Sequence, residues 1–390
     1  MTSFLEYNDW LMRISDNSGQ SIYEQIAAAS SATGALTFGE DAWRHARTHP
    51  QQFNARYLSS LNAEPVKGDL APAKNLADLV YHQFNTLPQA LERLVVAIPS
   101  HFSDEQLGLL MGIVSQTPNN ICGFVDLALA QALHHDIAED CVLVDFELTR
   151  SLLTTLNVTD DQLRVTDCKT VDGTGIIQVI DGWMNLIADE FVKRTRFDPM
   201  HAGACEQQIQ QQISTCLRQG GTLARVSVEH NDVNREVDID TRALQEKLSQ
   251  RLAPLLHALK EIVSSDTRLL LSNNAASIPG LTQLLDQAAL TYDVLSAGVP
   301  AAGLAQLSQA MPADEVVRLT SATLENKVRR PSPDQAAEAP APLATHLLHD
   351  HTALPVSDSR FSDHFQHAPA CVVGQAVEIQ GLTYLGIRVI

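Results

Sequence analysis

The stretch from Val142 to Val158 leaves a folding chain the fewest options. Val142-Leu143-Val144-Asp145-Phe146 and Ser151-Leu152-Leu153-Thr154-Thr155-Leu156-Asn157-Val158 are rich in Val, Leu and Thr, which suit a pleated, largely buried surface. Only Glu147-Leu148-Thr149-Arg150 lies between them, short enough for an antiparallel hairpin and free of glycine.

A chain of 390 residues, 45% of them hydrophobic, can bury a sizeable core in two or three domains or one bilobal body. Aromatic residues make up only 5%, so that core must be mostly Leu, Val, Ile and Ala. The formal charge of -19, from 27 basic and 46 acidic residues, argues against a nucleic-acid surface and against an anionic membrane. Cysteines at 122, 141, 168, 205, 216 and 371 form no Cys-x-x-Cys pair and suit free or buried thiols in a reducing compartment. Met1 to Glu6 has no basic region followed by an apolar run, and no stretch approaches ~18 uninterrupted apolar residues. The expected location is the cytoplasm.

Taken in order, Phe4 to Ser15 predicts two strands around a tight turn at Asn8-Asp9. Helices are expected over Gly39 to Thr48 and Asn75 to Asn85. Leu94 to Ile98 is a buried strand, and Ser103 with Gln106 has capping-box spacing for the helix that follows. Ile121 to Phe124 predicts a strand, and Asp126 to His135 an Ala/Leu-rich helix. After the Val142–Val158 hairpin come a strand over Gln162 to Thr166 and a turn at Asp172-Gly173-Thr174-Gly175. Helices follow over Ile177 to Arg194 and Gly203 to Arg218. A second hairpin is expected over Asn231 to Asn234, then a helix from Asp240 or Thr241 to about Val263. Arg268 to Leu271 predicts a strand, Ser272 to Ser277 a loop, and Gly280 to Leu290 and Pro300 to Gln309 helices. The Pro/Ala-rich 330–344 stretch suits a linker, and 345–390 a small β element around Ala376 to Ile379 and Tyr384 to Val389.

This order of hairpins, buried strands and helices resembles the actin-like ATPase superfamily, in particular the nucleotide-binding domain of DnaK-type heat-shock chaperones. Leu94 to Asp104 is similar to that family's Val-Pro-Ala-x-Phe-x-Asp pattern, and Asp126 stands where its Glu-Pro-Thr-Ala-Ala-Ala helix begins. Ile239 to Leu244 resembles its Ile-Thr-Arg helix start, and Leu269 to Leu281 its Gly-Gly-Ser-x-x-Pro stretch. The likeness covers about residues 4 to 310. It implies an α/β, ribonuclease H-like bilobal fold, with lobes over 1–140 and 141–312, binding ATP and Mg²⁺ between two phosphate-holding hairpins. Such turns need glycine and small hydroxyl residues, so that backbone N–H groups can face phosphate. An aspartate nearby meets the metal, usually through water.

The departures fall on those turns. Where the family has Asp-x-Gly-Thr-Thr, this chain has Glu6-Tyr7-Asn8-Asp9-Trp10. Where it has Asp-x-Gly-Gly-Gly-Thr, Asp145 survives, but Glu147, Leu148 and Thr149 replace the glycines. Asn273 and Asn274 replace the paired glycines on the adenosine side, while Asp172, Gly173 and Gly175 keep the family's character. A like charge ~4 Å from phosphate costs about 1 kcal/mol in water and several in a partly buried cleft. The resemblance therefore implies a vestigial cleft lined by Asp145, Asp172, Gly173, Gly175, Asn273 and Asn274. It implies a non-catalytic pseudo-ATPase that binds a protein partner or serves as a scaffold, with no cofactor and no metal expected. The alternative is an active ATPase, chaperone-like or filament-forming, that holds ATP and Mg²⁺ in atypical loops. A sugar kinase of this fold would need a sugar-facing catalytic aspartate, which has no evident place here. The tail after 345 is too short for a chaperone's peptide-clamping domain.

Each feature also has a plainer explanation. Asp145 suits a strand-end aspartate bonded to a neighbouring loop better than a residual metal-site acid, and Asp126 suits a helix N-cap better than a remnant general base. Asp172 to Gly175 fits equally an anion-binding helix start or a turn with its cap. Five of the 14 histidines (His346, His349, His351, His364 and His367) fall within 22 residues, close to Cys371. Their spacing could supply zinc ligands, but a solvated or pH-responsive surface is favoured. Gln207 to Gln212 could form a polar interaction face, but the wet side of an ordinary helix is favoured.

Overall fold

The computed structural model describes residues 2–387 except 88–89, 136, 138, 265–266, 297, 313–314, 325–343, 351, 362–372, 374–375 and 380. By its internal contacts the chain divides into two compact units, Met1–Lys327 and Val328–Ile390.

The larger unit holds two six-stranded mixed sheets. In the first, Thr2–Glu6, Met12–Ser15 and Ser21–Gln25 form an antiparallel meander. On the other side of Thr2–Glu6 lies Arg93–Ile98 in parallel, then Ile121–Asp126, also parallel. The second sheet repeats this order. Cys141–Phe146, Arg150–Thr159 and Gln162–Asp172 form the meander. Arg268–Leu271 and then Tyr292–Val294 join in parallel beside Cys141–Phe146. One strand plan is thus used twice. Three apolar clusters follow from it: one in the first half, one beneath the second sheet with the long helices, and one between the sheets, where Phe4, Val95, Leu143 and Leu270 meet.

Most strands and helix starts stand where the sequence predicts. Asn75, Ser103, Asp126 and Asp240 all cap helices with their side chains, and Ser103 and Gln106 form the expected capping box. The differences have local causes. Gln162–Asp172 runs past the predicted Thr166, because all of Arg150–Thr159 pairs with it. The second hairpin turns over two residues, Asn231 and Asp232, with φ of 51° and 60°, as a tight turn with both central residues left-handed requires. Ser272 to Ser277 is not a loop, since the Ser272 hydroxyl caps a short helix, Asn273–Ala276. The helix expected to reach Thr48 is only Gly39–Trp43. There the Gln207 carboxamide donates to the Trp43 carbonyl at 3.0 Å and accepts from the Arg47 amide at 2.9 Å, occupying the place of the next helical bond.

Ser21–Gln25 and Tyr292–Val294 have no counterpart in the sequence reading, and neither have two short edge strands. Arg318–Leu319 lies parallel to Ile121–Asp126 in the first sheet, and Ser321–Thr323 lies antiparallel to Gln162–Asp172 in the second. Only Thr320 separates them, so one polar segment laces an edge of both sheets.

In the smaller unit, Thr352–Pro355, His346–His349, Leu382–Ile387 and Ala376–Ile379 form an antiparallel sheet in that order. Leu347, Phe361 and Ile379 make its buried centre. The 330–343 part of the expected linker, and His351, His364, His367 and Cys371, lie outside the described residues. Among the described residues no three His, Cys, Asp or Glu side chains are grouped to hold a metal. Cys122, Cys141, Cys168, Cys205 and Cys216 are free. No described helix is long and apolar enough to cross a membrane.

The helix Val299–Gln309 meets Leu127–Ala132 so closely that a Cβ on Gly303 would collide with the Ala130 carbonyl. Gly303→Ala is therefore expected to lower stability by about 2 kcal/mol, read as a lower urea midpoint at unchanged slope.

Candidate functional site

The candidate site is built where the two hairpin turns meet. Asn8 turns the first hairpin by accepting the Trp10 amide on its side-chain oxygen at 2.9 Å. Its amide nitrogen donates across to the Phe146 carbonyl at 3.0 Å and to Asp145 Oδ2 at 3.2 Å. Asp9 Oδ1 accepts the Leu148 amide at 2.6 Å. Each turn therefore holds the other. Trp10 and Leu148 are buried beside this contact, so the space between the two turns is filled with protein.

The helix start next to it is also engaged. The Ile176 and Ile177 amides, first in Ile176–Thr195, donate to the Glu147 and Leu148 carbonyls at 3.1 and 2.8 Å. Donors that could hold an anion are used on the second turn. Gly175 is required because the Leu148–Arg150 backbone lies where a Cβ would stand. Thr174 is buried against Ser151, their hydroxyls 2.6 Å apart. Gly173 takes φ +75° and donates its amide to the Thr149 carbonyl at 3.1 Å.

The six expected cleft residues are thus only partly brought together. Asp145 is buried, accepting the Ser272 hydroxyl at 2.5 Å and the Phe146 amide at 2.9 Å. That is the loop-bonded strand-end aspartate of the plainer explanation. Asp172 is mostly exposed, 3.8 Å from Arg150. Asn273 and Asn274 line a recess of 20 Å³ with Glu6, Arg13 and Gln131. Such a space holds about one water, against the ~300 Å³ or more of a ligand pocket.

Five buried carboxyl groups converge on this junction: Glu6, Asp9, Asp126, Asp145 and Glu147. Burial is the main cause of a raised pKa in each. Glu6 is pushed up to about 7, with Arg13 at 3.7 Å opposing and Asp145 reinforcing the shift. For Asp9, the Leu148 amide, the nearby Ser59 hydroxyl and Arg150 oppose burial. Glu147 is raised by burial and then by Asp9, with Arg150 at 3.3 Å opposing. Asp9 and Glu147 share that one guanidinium, so it offsets the effect of burial on neither in full. Asp126 caps its helix and is partly offset by the Ser100 hydroxyl at 2.7 Å and Arg318 at 3.8 Å. His101 is held down to about 4 by burial, Arg150 and Arg318, so its ring is neutral beside Glu147 at pH 7. Among the described residues Tyr7 Oη, Asp9 Oδ2 and both His101 ring nitrogens have no hydrogen-bond partner.

Sequence reasoning passed over His101, Ser272 and Arg318 as members of this junction, and placed Glu6 only in the run of the first turn. His101 lies inside the Leu94–Asp104 stretch and was within reach. Arg318 was not, because nothing apolar or periodic marks its strand. The Gln-rich helix needs a correction as well. Gln207 and Gln210 are buried, with Gln210 meeting Arg47 Nε. Gln208 and Gln212 grip the neighbouring hairpin.

Glu6 has a measurable signature. An acid raised from 4.5 to about 7 holds its proton longer in the folded chain, so its stabilising share is full below pH 4.5 and lost as pH rises through 7. His101, depressed to about 4, works in the opposite direction between that value and 6.5, so the wild type alone does not isolate Glu6. Glu6→Gln should match wild type near pH 4.5 and gain up to about 3 kcal/mol relative to it above pH 7, measured by chemical denaturation. A pH-independent difference would refute the assignment. No protein-family model matches this chain, and no curated protein matches it.

Proposed function

We propose that the chain is a non-catalytic, actin/DnaK-like pseudo-ATPase that works by binding another protein. The fold part of this reading is supported by the twice-used strand plan, with the helix Ile176–Thr195 following the second meander. The observation that carries the loss of catalysis is the direct hydrogen bonding of Asn8 and Asp9 to the second turn. A triphosphate would have to break these bonds and enter among five buried carboxyl groups. With catalysis gone, binding is the activity left to a body of this size, as a partner or as a scaffold.

A second reading, an active ATPase with atypical loops, is favoured by one feature. The unpartnered Asp9 Oδ2, Tyr7 hydroxyl and His101 nitrogens lie at the same junction and would gain partners in an opened, occupied cleft. Calorimetric titration with MgATP decides between the two. No heat is expected near ~1 mM nucleotide and no ADP should accumulate; binding tighter than about 10 μM, or steady ADP release, would overturn the proposal.

A further inference from the structure

The helix Gly203–Gln219 uses side-chain carboxamides as substitutes for a strand. In the Arg225–His230 and Val233–Asp238 hairpin, His230 and Val233 close a two-residue turn, so His230, Val228 and Val226 direct their backbone groups to the partner strand. Glu229, Ser227 and Arg225 direct theirs outward, toward the helix. Gln208 donates to the Glu229 carbonyl at 2.9 Å and accepts from its amide at 2.8 Å. Gln212, one helical turn on, does the same at Ser227, at 2.8 and 3.1 Å. The spacings match, since four helical residues rise ~6 Å and two strand residues ~6.8 Å.

The next position is open. Among the described residues none bonds the outward N–H and C=O of Arg225. The helix presents Thr215 and Cys216 there, both too short to reach; Thr215 bonds back to the Gln211 carbonyl and Cys216 to that of Gly221. A groove of 530 Å³ lies at this place, lined by Gln212, Thr215, Gln219, Thr222 and Arg225 among others. The Arg225 guanidinium is offset by two carboxylates, Asp238 at 2.9 Å and Glu236 at 3.8 Å. The groove is thus neutral and amide-rich.

We propose that this slot takes the side-chain carboxamide of a glutamine on an extended segment of a partner protein, bonded to Arg225 as Gln208 and Gln212 bond to Glu229 and Ser227. This deepens the protein-binding reading by naming the surface and the partner's chemistry. A carboxylate in the same place would lose the donor to the Arg225 carbonyl and bring two acceptors together.

The test is a ¹H–¹⁵N titration of the full chain with the capped peptide Ac-Thr-Gln-Thr-NH₂, and with its Glu counterpart. A saturable shift of the Arg225 amide is expected, with affinity about fivefold or more weaker for the Glu peptide. Thr215→Gln, at an exposed helical position, should fill the slot from within and abolish the shift, while Thr215→Ala keeps it. No shift at Arg225, equal affinity for both peptides, or undiminished binding by Thr215→Gln would overturn the proposal. Peptide binding together with ATP turnover would sink only the non-catalytic reading, and absence of both would sink only this one.

Discussion

Asn8 and Asp9 meeting Phe146 and Leu148 is the contact on which the larger unit's arrangement depends. It joins the opening turn of one sheet to the opening turn of the other. A buried amide or carbonyl left unpaired costs about 1–3 kcal/mol, so each bond made here removes a penalty as well as adding an attraction. The consequences run outward. With the second turn held, its carbonyls face the first amides of Ile176–Thr195 and cap that helix. With the turn backbone lying there, residue 175 has to be glycine. A glycine that in the resembling family suits phosphate here suits a neighbouring chain segment. The same residue type has two physical causes, and only the packing separates them.

Electrostatics explain how so many acids stay in one place. Arg13, Arg150 and Arg318 come from three different strands, and none alone could neutralise the five carboxyl groups. Burial does the rest by keeping protons on some of them. The junction therefore carries less negative charge at a given pH than the same acids would in water. An anion of several charges would meet five acids, with no surplus of cations to receive it.

Much of the fold was legible because its signals are local. Leu94 to Ile98 could only be a buried strand, and Ser103 with Gln106 could only favour a helix start. The hairpin of Val142 to Val158 stands where its apolar runs put it, extended by one residue at three of its four ends. The site was legible in part. Asn8 and Glu147 stand where the resemblance would put glycine, which implied a turn unsuited to phosphate, but nothing local said what those side chains do instead. Asn8 and Asp145 are 137 residues apart, and a bond across that distance has no periodicity to betray it. Arg318–Leu319 and Ser321–Thr323 were missed for a related reason. They are two and three residues long, polar at most positions, and owe their extended form to the sheets they edge.

Glutamine was the residue most misjudged, and the error has a physical lesson. Hydropathy places Gln207 to Gln212 in water, because a carboxamide in isolation is well solvated. Yet a carboxamide carries the same donor and acceptor as a peptide group, on a stem long enough to reach a neighbour. Where a backbone leaves both groups facing the same way, as at Ser227, Glu229 or across Trp43 and Arg47, one glutamine satisfies both. Such a helix shields a strand edge that would otherwise be open to any passing strand. The protection is discrete, one residue per pair of backbone groups, so it stops where the glutamines stop. At Thr215 and Cys216 the series is interrupted, and the exposed edge at Arg225 is the direct outcome of two side chains too short to continue it.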